Sequence, residues 1–421
     1  MGNSVQLSRT YCFLSSAALL ALLMSGCGGG SAPTPSGSAP PAQDDTAAVQ
    51  SAVDKGGIVS FAARTYYLSR TIVISQSNTT IQGSGPQTVF QFRASATRQH
   101  CLNDRAFTTP CGIDDNPPRR IANAIAVGDP SFSAVAAPDV ADIQPGDWLL
   151  VSDIDDVIGD RVTADWVQVA SVTGVVVSVT VPFRTAFSSA RTWDPGHSGL
   201  GFQRISPLVQ NIAFRNFTVA VPDAGPGTLA VGISVFNALH TVIDHVVANS
   251  FSAQPLYSYL SKDLTVTSSQ GLGHGTLNEF AATVDATFHD NHFSVDSAAG
   301  FGLDLGTAFF DVSDNSIDES SNIGAYILYG VHDGSFAGNQ IAYVSTTAGG
   351  QSAYGILVWG SQNISVSGNY LAGGAGPDST GMSVRSISGE IPMPSAAVSL
   401  VSNSFGSGWV LDYAPGTQPA N

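Results

Sequence analysis

Phe288-His289-Asp290-Asn291-His292-Phe293 and Val312-Ser313-Asp314-Asn315-Ser316-Ile317 are one phrase written twice. An apolar residue is followed by two small or polar residues, an Asn, any residue, and a second apolar residue. The phrase returns as Phe336-Ala337-Gly338-Asn339-Gln340-Ile341, as Val366-Ser367-Gly368-Asn369-Tyr370-Leu371 and as Leu400-Val401-Ser402-Asn403-Ser404-Phe405. Its asparagines stand 24, 24, 30 and 34 residues apart. A fixed minimal period lengthened by insertions is the mark of a solenoid, and short strands between turn residues make it a β-solenoid. Asn tolerates left-handed backbone geometry, and its amide can bond to a counterpart one coil away. These asparagines read as a structural ladder, so the functional site is sought elsewhere.

Each coil also carries a strand led by Gly. Examples are Gly232-Ile233-Ser234-Val235-Phe236, Gly302-Leu303-Asp304-Leu305, Gly324-Ala325-Tyr326-Ile327, Gly355-Ile356-Leu357-Val358-Trp359 and Gly381-Met382-Ser383-Val384-Arg385. Alternation turns Ile233/Val235, Leu303/Leu305, Ala325/Ile327, Ile356/Val358 and Met382/Val384 inward. Ser234, Phe236, Asp304, Tyr326, Trp359 and Arg385 then face outward, with Tyr257 and Tyr259 on the same face one coil after Ser234. Adjacent coils stand about 4.8 Å apart, so these side chains form a column. Aromatic rings on an open sheet stack on the apolar faces of sugars, and exposed apolar patches mark interaction sites. Tyr257, Tyr259, Tyr326, Trp359 and Arg385 are therefore the expected substrate-binding residues. Cover by loops flanking the sheet is the alternative.

The chain has 32 acidic and 16 basic residues, a formal net charge of −16. Beyond Lys262 a single basic residue, Arg385, stands against fourteen acidic ones. Nucleic acid is a poor partner for such a surface, and a densely anionic polysaccharide would be repelled unless cations bridge it. Residues 278–320 hold Glu279, Asp285, Asp290, Asp296, Asp304, Asp311, Asp314, Asp318 and Glu319 and no Lys or Arg. Glycosidic hydrolysis takes two carboxyl groups, one protonated and one ionised, about 5–9.5 Å apart. Asp304 lies on the outward column. Glu279 or Asp285 lies in the preceding coil, whose register the sequence leaves open. Solvated turns account for most of the remaining aspartates. Oxygen-rich clusters suit calcium, although no compact calcium-loop motif is present and no metal ligands are assigned.

At the N-terminus Arg9 precedes an apolar stretch, 13–24, too short to span a bilayer. It ends Leu23-Met24-Ser25-Gly26-Cys27, which resembles the lipobox of bacterial lipoproteins. The resemblance implies a signal peptide at 1–26 and a lipid on Cys27. No acidic residue directly follows Cys27, which by the same resemblance implies the outer membrane. An ordinary secretory signal with a chance Cys is the alternative. Residues 27–43, rich in Gly, Ser, Ala, Pro and Thr, read as a flexible tether. In an exported protein Cys101 and Cys111, in a polar Pro-containing loop, are expected to form a disulfide.

Residues 44–93 open the folded part. A short helix is expected at 46–53, capped by Asp44, Asp45 or Thr46 and ended by Gly56-Gly57. Strands follow at 58–61, 66–68, 71–74, 79–81 and 89–92. A helix over the open end of a solenoid would protect its first strand. Ala47-Ala48-Val49-Gln50 with Gly56-Gly57-Ile58-Val59-Ser60-Phe61, then Thr65-Tyr66-Tyr67-Leu68, then Thr80-Ile81-Gln82-Gly83-Ser84-Gly85, is similar to the N-terminal signature of the pectate lyase superfamily. The resemblance covers residues 45–93 and implies an all-β fold, a single-stranded right-handed parallel β-helix. Members of that superfamily include lyases, glycoside hydrolases, epimerases and phage tailspikes, so it implies fold rather than reaction. Residues 94–205 interrupt the pattern with β-rich stretches at 146–151, 166–169 and 175–181. They read as an elaborated early coil or a small β subdomain against the helix. Regular coils fill 206–410, before a tail at 411–421.

Two short motifs bear on chemistry. Gly273-His274-Gly275 resembles the Gly-His-Gly of polygalacturonase-type glycoside hydrolases, which implies that His274 assists the carboxylates. The Asn-Thr-Asp, Asp-Asp and Arg-Ile-Lys phrases of those enzymes have no counterpart, since Asp155-Asp156 falls far too early. Val242-Ile243-Asp244-His245 is similar to the Ile-Asp-His of pectate lyases, where the Asp serves a calcium site, yet the later Arg motif that supplies their base is missing. The expectation is a surface-tethered enzyme acting on extracellular or cell-wall polysaccharide of low charge. Asp304 with Glu279 or Asp285 would cleave by general acid/base chemistry, helped by His274. The alternatives are calcium-assisted β-elimination of a uronate polymer and a non-catalytic glycan-binding or adhesion module.

Overall fold

The computed structural model describes residues 44–93, 105–111, 118–155, 160–187, 199–221, 231–250, 254–273, 277–295, 299–318, 323–342, 344, 353–372, 380–386, 395–406 and 410–413. The signal peptide, the tether, Cys27, Cys101 and His274 lie outside them. No helix among the described residues is long and apolar enough to cross a membrane.

The chain winds as a parallel β-helix with three faces. Face A runs from Ile72–Val73 and Arg105–Thr108 through the starts of Val231–Ser250, Leu256–Thr267 and Asn278–His289. It continues through Ala299–Asp304, Ile323–Leu328, Tyr354–Trp359, Thr380–Arg385 and Val410–Tyr413. Face B begins at Gly57–Phe61 and ends at Ser399–Val401, and face C begins at Thr65–Leu68 and ends at Ser404–Phe405. Long strands such as Asn278–His289 bend from face A to face B through left-handed residues, here Ala282 at φ 45° and Asp285 at φ 60°.

Apolar residues from all three faces meet along the axis. Phe280, Phe288, Phe293 and Phe301 pack with ring centroids 4.3 to 6.4 Å apart. Burial of these rings is the main favourable term. The Gly-led strands follow from this packing. A Cβ at Gly300, Gly324 or Gly355 would overlap the side chains of Ile317, Ile341 and Leu371.

The asparagine ladder turns the chain from face B to face C. Asn291 Nδ2 donates to Asn315 Oδ1 at 2.9 Å, Asn315 to Asn339 at 2.9 Å, Asn339 to Asn369 at 3.0 Å and Asn369 to Asn403 at 2.9 Å. Each backbone N–H donates to the same oxygen. Left-handed geometry belongs to the residue before each Asn: Asp290, Asp314, Gly338, Gly368 and Ser402, at φ 55–67°. The asparagines contribute hydrogen bonds, not the backbone twist expected of them.

The helix spans Thr46–Val53, with Val49 and Val53 buried against the first coils. Asp44 Oδ1 accepts from Thr46 N at 3.0 Å, and Asp45 is held by Arg64. Arg105–Thr108, expected within the insert, is a face A strand paired with Val231–Ser250. The insert beyond it forms a separate six-stranded sheet containing Trp148–Asp155, Asp160–Thr173 and Gly199–Arg204. It has a core of its own, around Phe132, Leu149, Val167 and Phe202. Because the insert leaves face A after residue 108 and rejoins face B at 209, it lies over the corner between those faces.

Candidate functional site

Register on face A is now determined. Tyr257 pairs with Glu279, Glu279 with Gly302, and Gly302 with Tyr326. Two residues further along, Tyr259 pairs with Ala281 and Ala281 with Asp304. Glu279 and Asp304 are thus outward neighbours on adjacent strands, offset by two residues. A 4.8 Å strand spacing and two residue rises place their Cα atoms about 8 Å apart. The carboxyls branch from the same face and are nearly closed off from solvent, at 3% and 4% exposure.

Gly302 explains how a third group joins them. A Cβ at this position would overlap the ring of Tyr326. Glycine leaves room for the phenol to lie back across its own strand, towards Glu279. Burial, then the charges of Glu279 and Asp304, then Tyr257 and Tyr329, push the Tyr326 hydroxyl well above the usual phenol range. Burial and Asp304 push Tyr329 up to about 12. Both phenols therefore stay protonated as hydrogen-bond donors at any physiological pH.

Backbone geometry holds Asp304 at the end of its strand. Its Oδ1 accepts from Leu305 N at 2.7 Å, and its carbonyl accepts from Thr307 Oγ1 at 2.8 Å. Leu305 and Gly306 are both left-handed, at φ 51° and 75°. This turns Leu305 away from the core it was expected to join, into a cluster with Leu150, Ala164 and Trp166 of the insert. Glu279 accepts from Gln254 Nε2 on the opposite flank.

The insert forms a wall beside the carboxyls. Leu150, Ala164, Trp166 and Ile205 pack against Phe236, Tyr259, Leu260, Ala281 and Ala282. A Cβ at Gly306 would sit 3.0 Å from Thr163 N, and one at Gly330 would overlap Val162 O. Both glycines have positive φ, so the corner demands glycine for conformation as well as space.

Asp285 does not join Asp304. It sits at φ 60° just past the corner and is held by Arg184 from the insert, at 2.5 and 2.9 Å, and by Lys262. Burial alone would raise its carboxyl, but hydrogen bonds from Arg184 and Lys262 outweigh this and lower it. Asp285 is an ion-pair residue at the interface with the insert, and Glu279 is the carboxylate beside Asp304.

The aromatic column is less open than alternation implies. Phe236 and Tyr259 are covered by the insert, and Tyr326 lies over Gly302, buried with Leu328 and Leu357. Tyr257 is half-buried beside Phe236, with ring centroids 5.5 Å apart, and the Arg105 guanidinium lies 4.5 Å from the Phe236 ring centre. Trp359 is half-buried, tilted 31° against Tyr329 at 6.3 Å, and its Nε1 donates to Ser386 O. Arg385 is exposed, 5.8 Å from the Tyr354 ring centre.

Sequence reasoning missed Gln254, Tyr329, Arg105 and the wall. Tyr329 lies two residues past the Gly-led phrase that ends at Ile327 and was open to discovery by extending that strand. The wall is joined by contacts such as Arg184 with Asp285, 101 residues apart, which leave no periodic signal. Cys111 is disulfide-bonded, and its expected partner Cys101 falls outside the described residues. Among the described residues no group of three or more His, Cys, Asp or Glu is placed to hold a metal ion.

No protein-family model matches the chain, and no curated protein matches it. Solved structures do. PfbA, a surface adhesin of Streptococcus pneumoniae, aligns with a TM-score of 0.50 and 12% identity over 86% of this chain and 75% of that one. The tailspike protein gp49 of Pseudomonas phage LKA1 aligns at 0.49 and 13% identity over 89% and 72%. The A-module of the mannuronan C-5 epimerase AlgE4 of Azotobacter vinelandii aligns at 0.38 and 12% identity over 90% and 96%. At such identities a likeness speaks to fold alone, and the fold it shares is the one its own registers describe: the chain is a parallel β-helix protein.

Proposed function

We propose that the chain is a carbohydrate-active enzyme that hydrolyses glycosidic bonds at Glu279 and Asp304. The observation that carries this is the pairing of two nearly buried carboxyls on one face, with a protonated phenol, Tyr326, under the influence of both. Hydrolysis needs an acid to protonate the leaving oxygen and a carboxylate to activate water or attack the sugar. A Cα separation of about 8 Å lets side chains of these lengths meet the spacings of either the retaining or the inverting route. Tyr326 acts as a hydrogen-bond donor that orients a carboxylate or the sugar. Half-buried Tyr329 and Trp359 supply faces for sugar stacking.

The substrate is an extracellular or cell-wall polysaccharide of low charge, because the acidic C-terminal half repels a dense polyanion. Lipid anchoring at Cys27, at the outer membrane, belongs to the same proposal. It is tested by metabolic labelling with a lipid analogue, which Cys27→Ser should abolish. The fold is shared with an adhesin, which makes a non-catalytic glycan-binding role the rival.

A panel of polysaccharides incubated with purified protein separates the possibilities. New reducing ends without the ultraviolet absorbance of unsaturated uronates are expected. That absorbance would mean lyase chemistry, and binding without new ends would leave only the rival.

A further inference from the structure

On successive coils the corner from face A to face B is made by a left-handed residue: Asn237, Leu260, Ala282, Leu305, Tyr329 and Gly360, at φ 45–64°. Glycine and asparagine take this geometry readily. Leu260, Ala282 and Leu305 are held in it by the apolar cluster with the insert. Tyr329 differs from all of these. A bulky side chain at positive φ costs about 1–3 kcal/mol, yet Tyr329 is only half-buried, at the edges of two apolar clusters.

Its place in the register explains what the side chain reaches. Tyr329 follows Leu328, which stands between Asp304 on one neighbouring strand and Trp359 on the other. Gly306 N donates to Tyr329 O at 3.0 Å, which fixes Tyr329 beside the turn that ends the Asp304 strand. One strand spacing and one residue rise put the Cα atoms of Asp304 and Tyr329 about 6 Å apart. The phenol ring lies on the outward side, tilted 31° against Trp359 at 6.3 Å. Burial and the Asp304 charge keep its hydroxyl protonated, yet among the described residues none hydrogen-bonds to Tyr329 Oη. A half-buried donor beside a carboxyl leaves a gap that one further hydroxyl can bridge.

We propose that Tyr329 Oη and the Asp304 carboxylate together hold one ligand hydroxyl, which accepts from the phenol and donates to the carboxylate. The inference rests on the assignment of Asp304 to the reacting pair. The hydroxyl belongs either to a sugar unit of the substrate or to the attacking water. In the second case the water oxygen bonds to the sugar carbon and its proton passes to Asp304. The glycosidic bond then breaks, with its oxygen taking a proton from Glu279.

Tyr329→Phe removes the hydroxyl and keeps the ring against Trp359, so the melting temperature should hold. On a panel polysaccharide, kcat and KM are compared between wild type and Tyr329→Phe. Affinity is measured in Glu279→Gln protein with and without Tyr329→Phe. A sugar hydroxyl predicts affinity weaker by roughly 2–10-fold with kcat little changed. An attacking water predicts kcat lower on the order of 10²-fold at unchanged affinity. Unchanged kcat and affinity would overturn the proposal while leaving hydrolysis intact, as would losses that follow a lowered melting temperature. Affinity lost through Tyr329→Phe in a protein that binds without cleaving would support the hydroxyl site and remove the hydrolytic assignment. Neither binding nor cleavage of any panel member would overturn both.

Discussion

At the scale of the residue, the proposed site turns on Gly302 as much as on the carboxyls flanking it. Only a residue without Cβ lets the Tyr326 ring lie across position 302. Gly302→Ala is expected to push the phenol aside, with an overpacking cost of about 1–3 kcal/mol. Tyr326→Phe keeps the packing and removes the hydroxyl. Loss of one oriented donor should lower kcat/KM on the order of 10²-fold with the melting temperature little changed. Steady-state kinetics beside thermal unfolding checks both. Equal activity in Tyr326→Phe would show that the phenol only fills space. Asp304 was legible in the sequence because its strand begins with Gly and alternates cleanly. Glu279 was legible as one of two options, and its register with Tyr257 and Gly302 puts it on the strand beside Asp304. Asp285 lies past a corner made by left-handed Ala282, which the sequence does not mark.

At the scale of the element, the asparagine turn was readable from the phrase itself, and so was the helix at 46–53. Covered faces were not. Alternation distinguishes inward from outward, but a second layer from a distant segment leaves no mark on the strand it covers, as Phe236 and Tyr259 show. The ladder itself makes a sharp prediction. Asn339 accepts from Asn315 N and Nδ2, and donates to Val312 O and Asn369 Oδ1. Asn339→Ala strands several buried groups and should destabilise the protein by about 1–3 kcal/mol per unsatisfied group. The transition midpoint in urea measures this. Loss confined to activity, with an unchanged midpoint, would contradict a scaffold role.

At the scale of the whole molecule, the β-helix and its insert meet through the apolar wall and a charged cluster beside it. Arg184 bonds Asp285, lies 3.6 Å from Asp165 and packs over Phe309, 3.9 Å from its ring centre. Burial raises the Asp165 carboxyl, with Arg184 and Lys262 opposing. Asp285, lowered in the folded state, contributes stability above its unfolded pKa and loses it as pH falls through the folded value. Asp165 has the reverse sign: its raised value weakens the fold as pH rises from the unfolded value through the folded one. The difference in melting temperature between wild type and Asp285→Asn should therefore shrink as pH drops below the ordinary carboxylate range. A difference independent of pH would remove Asp285 from the ion pair.

The central claim is that Glu279 and Asp304 break glycosidic bonds, and it rests most directly on the initial rate of reducing-end formation. On a polysaccharide that wild-type protein cleaves, Glu279→Gln and Asp304→Asn should each lower that rate by about 10²–10⁴-fold, without loss of binding. Cleavage at the wild-type rate by either variant would contradict the account.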